Sequence, residues 1–133
     1  MRLNEIIINY KKPDFASEYE EAMRYEHLRG LSIDEWVAFC EGGLSFRPSV
    51  NMLRGFRNTD ATSVMDAKGA FNNLEPDKIE RFNQVFRSGV IEMPIVIYFN
   101  GGYEVLSGNT RMTGLVANGF IPKVWFLDTR QFQ

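Results

Sequence analysis

Cysteine and histidine are nearly missing from this chain of 133 residues: Cys40 is its one thiol and His27 its one imidazole. A single cysteine forms no internal disulfide. A zinc site of Cys type and a histidine-rich metal cage are excluded with it, and neither haem nor flavin is expected. Long apolar runs are missing as well. Stretches such as Ile6-Ile7-Ile8 are far too short to span a bilayer or to form the apolar region of a signal peptide. The expectation is a cytoplasmic protein with no membrane contact. A large charge of one sign is also lacking, because the net charge is −2. Strong nonspecific binding of nucleic acid by the whole surface is therefore not expected. Apolar side chains are plentiful, at 44%, and the eleven Phe promise a substantial core for one domain of ordinary size.

The charges are unevenly placed. Residues 1–41 carry five Lys/Arg against nine Asp/Glu, whereas 42–57 carry Arg47, Arg54 and Arg57 and no acid. A basic segment in an acidic chain suits a small anion or a short stretch of phosphate backbone. Leu3 to Tyr10 is β-branched and reads as a strand. Asp14 then starts a predicted helix of about fifteen residues that Gly30 closes, with Glu18, Glu20, Glu21 and Glu26 on its solvated side. Ser32-Ile33-Asp34-Glu35 is a capping box, followed by Ile33, Trp36, Val37 and Cys40 at helical spacing. Pro48 and Gly55 interrupt the next stretch, and a helix weakened by Gly69 is expected between Asp60 and Phe71.

The pattern sharpens from Pro76, which suits a first helical position. Ile79, Phe82 and Phe86 line one side of this helix as far as Gly89. Met93 to Phe99 reads as a strand, Asn100-Gly101-Gly102 as a hairpin turn and Tyr103 to Ser107 as the returning strand. A helix over 110–118 and a strand over 123–127 follow. Together these predict a βαβ crossover with parallel strands, which would put Ser107-Gly108-Asn109-Thr110-Arg111 at the carboxyl edge of the sheet, where ligands of open sheets bind. Helix N-terminal amides lack partners, and Arg111 offers a fork matched to phosphate. The same turn reads equally as a plain strand-to-helix connection, and it is neither a Walker loop nor a dinucleotide fingerprint. Gly114, costly in mid-helix, suggests that this helix lies close to the sheet.

Met93-Pro94-Ile95-Val96-Ile97, the hairpin, Tyr103-Glu104-Val105-Leu106-Ser107-Gly108-Asn109-Thr110-Arg111, the glycine-closed helix and Val124-Trp125-Phe126-Leu127 together resemble the ParB/sulfiredoxin superfamily. The likeness covers residues 79 to 127. It implies an α+β (α/β) fold, a small mixed sheet with a hairpin and crossover, in which residues 76–133 form the core and 1–75 a helical elaboration. It also implies that Gly108 and Arg111 hold nucleotide phosphates. Sulfiredoxins carry their catalytic cysteine directly after that glycine, and chromosome-partitioning ParB proteins carry a glutamate implicated in CTP hydrolysis. Asn109 stands there, so binding is expected without either chemistry. The DNA-reading domain of those partition proteins has no counterpart before Gln133, so partition-site recognition is not expected.

Further candidates are weaker. Asp128 and Glu92 are the carboxylates considered for catalysis, and Asp128 also for Mg²⁺ beside a nucleotide. Arg47, Arg54 and Arg57, interleaved with Phe46 and Phe56, suit phosphates and a stacked base, or equally a basic surface over two core Phe. His27 reads as a structural residue and Cys40 as a small buried hydrophobe. The function expected is binding of a nucleotide or phosphorylated ligand at Ser107–Arg111, with phosphoryl transfer or phosphodiester hydrolysis if the protein is an enzyme. Two alternatives are kept. One is a non-catalytic module of phage or mobile-element origin that meets a protein partner through helices 14–41. The other is a weak single-stranded nucleic-acid binder working through 46–57.

Overall fold

A computed structural model of the protein describes residues 8–57 and 75–133. The elements are β1 (Asn9–Lys11), α1 (Tyr19–Ala22), α2 (Ile33–Glu41), β2 (Leu44–Phe46), α3 (Val50–Arg54), β3 (Phe56–Arg57), α4 (Pro76–Ser88), β4 (Val90–Glu92), β5 (Ile95–Phe99), β6 (Gly102–Ser107), α5 (Asn109–Ala117) and β7 (Val124–Asp128). The fold is α+β. A mixed five-stranded sheet runs in the order β2-β7-β5-β6-β3, and β1 and β4 form a separate parallel pair.

The sheet grows from the β5–β6 hairpin. Asn100 and Gly101 both take positive φ, 50° and 74°, which matches the right-handed twist of the two strands. Side chains then alternate. Ile95, Ile97, Leu106 and Leu127 face a cluster with Phe15, Ala22, Leu28, Trp36 and Cys40. Val96, Val105 and Val124 face the opposite way, against Leu53, Phe56 and Met112. The N-terminal segment thus covers one face, and α3 and α5 cover the other. A third cluster, centred on Phe82, Ile91 and Leu115, ties α4 to α5 and to the β1–β4 pair.

Several predicted elements are found. The capping box is formed in full, with Ser32 Oγ accepting from Glu35 N–H at 3.1 Å and Glu35 Oε1 accepting from Ser32 N–H at 2.9 Å. Pro76 is at the start of α4, and Gly89 ends it in the left-handed conformation. Others differ. The helix expected from Asp14 to Gly30 is a 3-10 turn, the single turn α1 and a second 3-10 turn, broken where Tyr25 is extended at ψ 122°. That break lets the Tyr25 hydroxyl donate to Glu104 Oε1 at 3.1 Å, and Arg29 binds the carbonyls of Met23 and Arg24 that the interruption leaves open. The strand expected from Met93 begins at Ile95, and Val90–Glu92 pairs instead with β1. Residues 44–57 are not purely helical, since they supply both outer strands, β2 and β3. The first strand is described only over Asn9–Lys11, and the helix expected between Asp60 and Phe71 lies outside the described residues.

The crossover is the main correction. β6 is antiparallel to β5, and β7 is parallel to β5, so β6 and β7 are antiparallel to each other. The reason is length. A nine-residue helix advances about 13 Å, and after the turn at Asn118 and Gly119 the connector 120–123 can span about 13 Å, enough to bring the chain back to the edge it left. β7 accordingly starts beside Pro94, whose carbonyl accepts from Trp125 N–H at 2.9 Å. The ends of β6 and β2 and the starts of β5 and β7 therefore share one edge of the sheet.

Candidate functional site

Ser107 closes β6 as a buried residue paired with Ile95. Gly108 then turns the chain in the left-handed region, with φ 85° and ψ 29°, and α5 begins at Asn109. Ser32 and Ser49 cap α2 and α3 with their hydroxyls, whereas among the described residues no side chain caps the first turn of α5. The amides of Asn109, Thr110 and Arg111 precede the first intrahelical bond, in which Met112 N–H donates to Gly108 O at 2.8 Å. Arg111 folds back over the turn. A Cβ added to Gly108 would sit 2.6 Å from Arg111 Nη2, 3.0 Å from its Nε and 3.0 Å from Pro94 Cα. Glycine is needed here twice, for its positive φ and for the guanidinium stacked on it.

Two buried polar atoms in this turn have no hydrogen-bond partner among the described residues: Arg111 Nε and Asn109 Oδ1. Buried polar groups are almost always satisfied, so an open donor, Arg111 Nε, and an open acceptor, Asn109 Oδ1, set this turn apart from the rest of the described fold. A cleft of about 280 Å³ opens beside them, lined by Lys78, Arg81, Phe82 and Val85 of α4 and by Thr110 and Arg111. Sequence reasoning missed Lys78 and Arg81. Their signal was present, since 78, 81, 82 and 85 form an i, i+3, i+4, i+7 stripe that is half cationic and half apolar. The neighbouring stripe of Ile79, Phe82 and Phe86 reads as core and masks it.

The other candidates fall in different places. Asp128 is not at the Gly108 edge. It pairs with Tyr98, at the hairpin end, while Trp125 pairs with Ile95 at the edge of the turn. Three residues of strand separate the two positions by about 10 Å. Its carboxylate is also engaged, accepting from Arg130 Nε at 2.9 Å, which holds it below the ordinary carboxylate range. Asp128 is therefore not placed to hold Mg²⁺ or to act as a base at the turn. Glu92 is near the correct edge, two residues before Pro94, but its Oε1 accepts from Asp14 N–H at 2.8 Å. Among the described residues no group of three His, Cys, Asp or Glu side chains is placed to hold a metal.

Arg47 follows Phe46, which pairs with Val124, so it leaves β2 at the edge of the turn without lining the cleft. Arg57 pairs with Glu104, three residues short of Ser107, and Arg54 ends α3 on the way to it. The three arginines do not form one cluster with the turn. Phe56 is fully buried against Tyr103, and Phe46 packs on Phe126, so both serve the core. Cys40 is buried and its thiol is pushed up to about 12, mainly by that burial. His27 is structural, bound through Nε2 to Thr129 Oγ1 at 2.8 Å and stacked on Phe99. Gly114 lies close to α4, not to the sheet, because a Cβ there would come within 2.6 Å of the Phe82 ring. Among the described residues no helix is long and apolar enough to cross a membrane. No protein-family model, curated protein or solved structure matches the chain.

Proposed function

We propose that this chain is a binding domain of ParB/sulfiredoxin type that takes a nucleotide or another phosphorylated ligand at Ser107–Arg111. The observation that carries the reading is the orphaned, buried Nε of Arg111 in a turn whose helical amides meet no side-chain cap among the described residues. A phosphate oxygen supplies the acceptor that these donors lack, and the α5 N-terminus contributes roughly half a positive charge toward it. The residues described around the cleft carry cations and apolar groups and no carboxylate. With Glu92 engaged and Asp128 at the far edge, the site is equipped to grip an anion and not to activate a nucleophile. Mg²⁺, where it contributes, would arrive with the nucleotide. Contact of the acidic segment 14–41 with a protein partner remains compatible with this role, because Glu20 and Glu26 are exposed on the layer that covers the opposite face.

Thermal unfolding with ATP, CTP, GTP and ADP, each with and without Mg²⁺, tests the reading. At least one nucleotide should raise the melting temperature, because ligand binding to the native state stabilises it by mass action. Arg111→Ala should remove that rise. A rise that survives the substitution would place the ligand elsewhere.

A further inference from the structure

Lys78 and Arg81 stand one helical turn apart on α4, and both face the cleft whose other wall is Thr110 and Arg111. Neither is committed to a strong partner. Lys78 has no ion pair among the described residues, and Arg81 meets Asp77 at 3.7 Å with both side chains about 70% exposed, a pair of little energetic weight. Val85, 38% exposed on the same stripe, and the edge of Phe82 complete an apolar floor. The cleft therefore gathers three cations from two separate elements, while the described lining offers no acid to neutralise them. The amides of the α5 first turn and the Arg111 fork provide enough donors for the oxygens of one phosphate. A single phosphate on the turn would leave the two α4 cations facing each other without an anion between them.

We propose that Lys78 and Arg81 form the second half of the anion site and make it selective for ligands with two or more consecutive phosphates over a single phosphate. The inference rests on the phosphate-binding reading of the turn and adds the specificity determinant. One phosphate is held by the turn and Arg111, and the next bridges toward α4, where it pins that helix against α5. Discrimination arises because the second phosphate is the only group that pairs with both α4 cations. The cleft, at about 280 Å³, is of a size for a small polyphosphate and not for a folded nucleic acid.

Calorimetric titration at constant ionic strength, with inorganic phosphate and pyrophosphate as probes, tests this. The wild-type chain should bind pyrophosphate at least about tenfold more tightly than phosphate, the size expected of one additional charge-assisted contact. In Lys78→Ala/Arg81→Ala that preference should fall below about threefold, with phosphate affinity nearly kept. Lys78→Arg should retain the preference. Both positions are exposed and alanine favours helix, so the double variant should fold, which circular dichroism checks. A preference that persists in the double variant, or one absent from the wild type, overturns the inference while leaving the turn as a phosphate site. Failure of the wild type to bind either probe, or unchanged binding in Arg111→Ala, overturns the underlying reading together with it. A tetranucleotide that binds more tightly than pyrophosphate would also overturn it, by assigning the α4 cations to a nucleic-acid backbone.

Discussion

Arg111 does not reach outward from its helix; it folds onto Gly108, and the two residues act as one device. The left-handed conformation of Gly108 costs a residue with a Cβ about 1–2 kcal/mol, and the added methyl would displace the guanidinium that lies 2.6 Å away. Gly108→Ala should therefore lower stability by about 1–3 kcal/mol in chemical denaturation and also abolish nucleotide-induced stabilisation. A variant that is destabilised yet still responds to nucleotide would show that Arg111 works from another position. The spacing Gly-x-x-Arg that prompts the phosphate proposal was legible in the sequence. The orphaned Nε was not, because burial of one atom depends on how a long side chain folds over its neighbours. Asn109 was legible as the residue that follows the glycine of the turn. Its own unsatisfied Oδ1, by contrast, emerges only from the packed turn.

The contact between α4 and α5 is set by a second close approach. At Gly114 alanine would ordinarily favour the helix by about 1 kcal/mol, but here its methyl would enter the Phe82 ring at 2.6–2.7 Å from three ring carbons. The steric effect is the larger, since overpacking a core costs about 1–3 kcal/mol. Gly114→Ala should be net destabilising, and adding Phe82→Leu should recover part of the loss. A double variant no better than the single one would mean that the clash is relieved elsewhere. Because Phe82 also floors the cleft, Gly114→Ala should weaken the proposed nucleotide binding without touching any cation. Elements fixed by local chemistry were readable in advance: the Asn-Gly hairpin, the Ser32–Glu35 box, and α4 between Pro76 and Gly89. Elements decided by distant partners were not. Tyr25 breaks its helix to reach Glu104, and the 118–123 connector reverses the expected direction of β7, a question of reach that local propensity does not encode. The misplacement of Asp128 follows directly from that reversal.

The N-terminal layer and the C-terminal turn are held together beside the hairpin, and His27 is the fastener. Thr129 is fully buried, and its hydroxyl lies 2.8 Å from His27 Nε2 and 3.2 Å from Tyr98 O, so it links the imidazole to the hairpin strand. The imidazole lies on Phe99, with centroids 4.5 Å apart, and so joins the N-terminal layer to the central strand and to the C-terminal turn. Burial lowers its pKa from the ordinary 6.5. The unfolded chain therefore binds the proton more readily, and stability rises with pH across the window between the folded pKa and 6.5. The contribution is fully present above the unfolded value and is lost as pH falls. Tyr25 and Glu26 border the same space, and Glu104 is bound to Tyr25. Glu104 acts in the opposite sense, since burial raises its pKa and its ionisation above the ordinary 4.5 disfavours the fold. Wild-type slopes mix the two, so the informative quantity is the difference from His27→Gln, which keeps an N–H donor and cannot gain the proton. The stability advantage of wild type over the variant should be constant above about pH 7 and shrink progressively toward pH 5. Denaturant midpoints measured across that range decide it, and an advantage that grows on acidification would mean that His27 is charged in the folded protein and that the fastener is an ion pair.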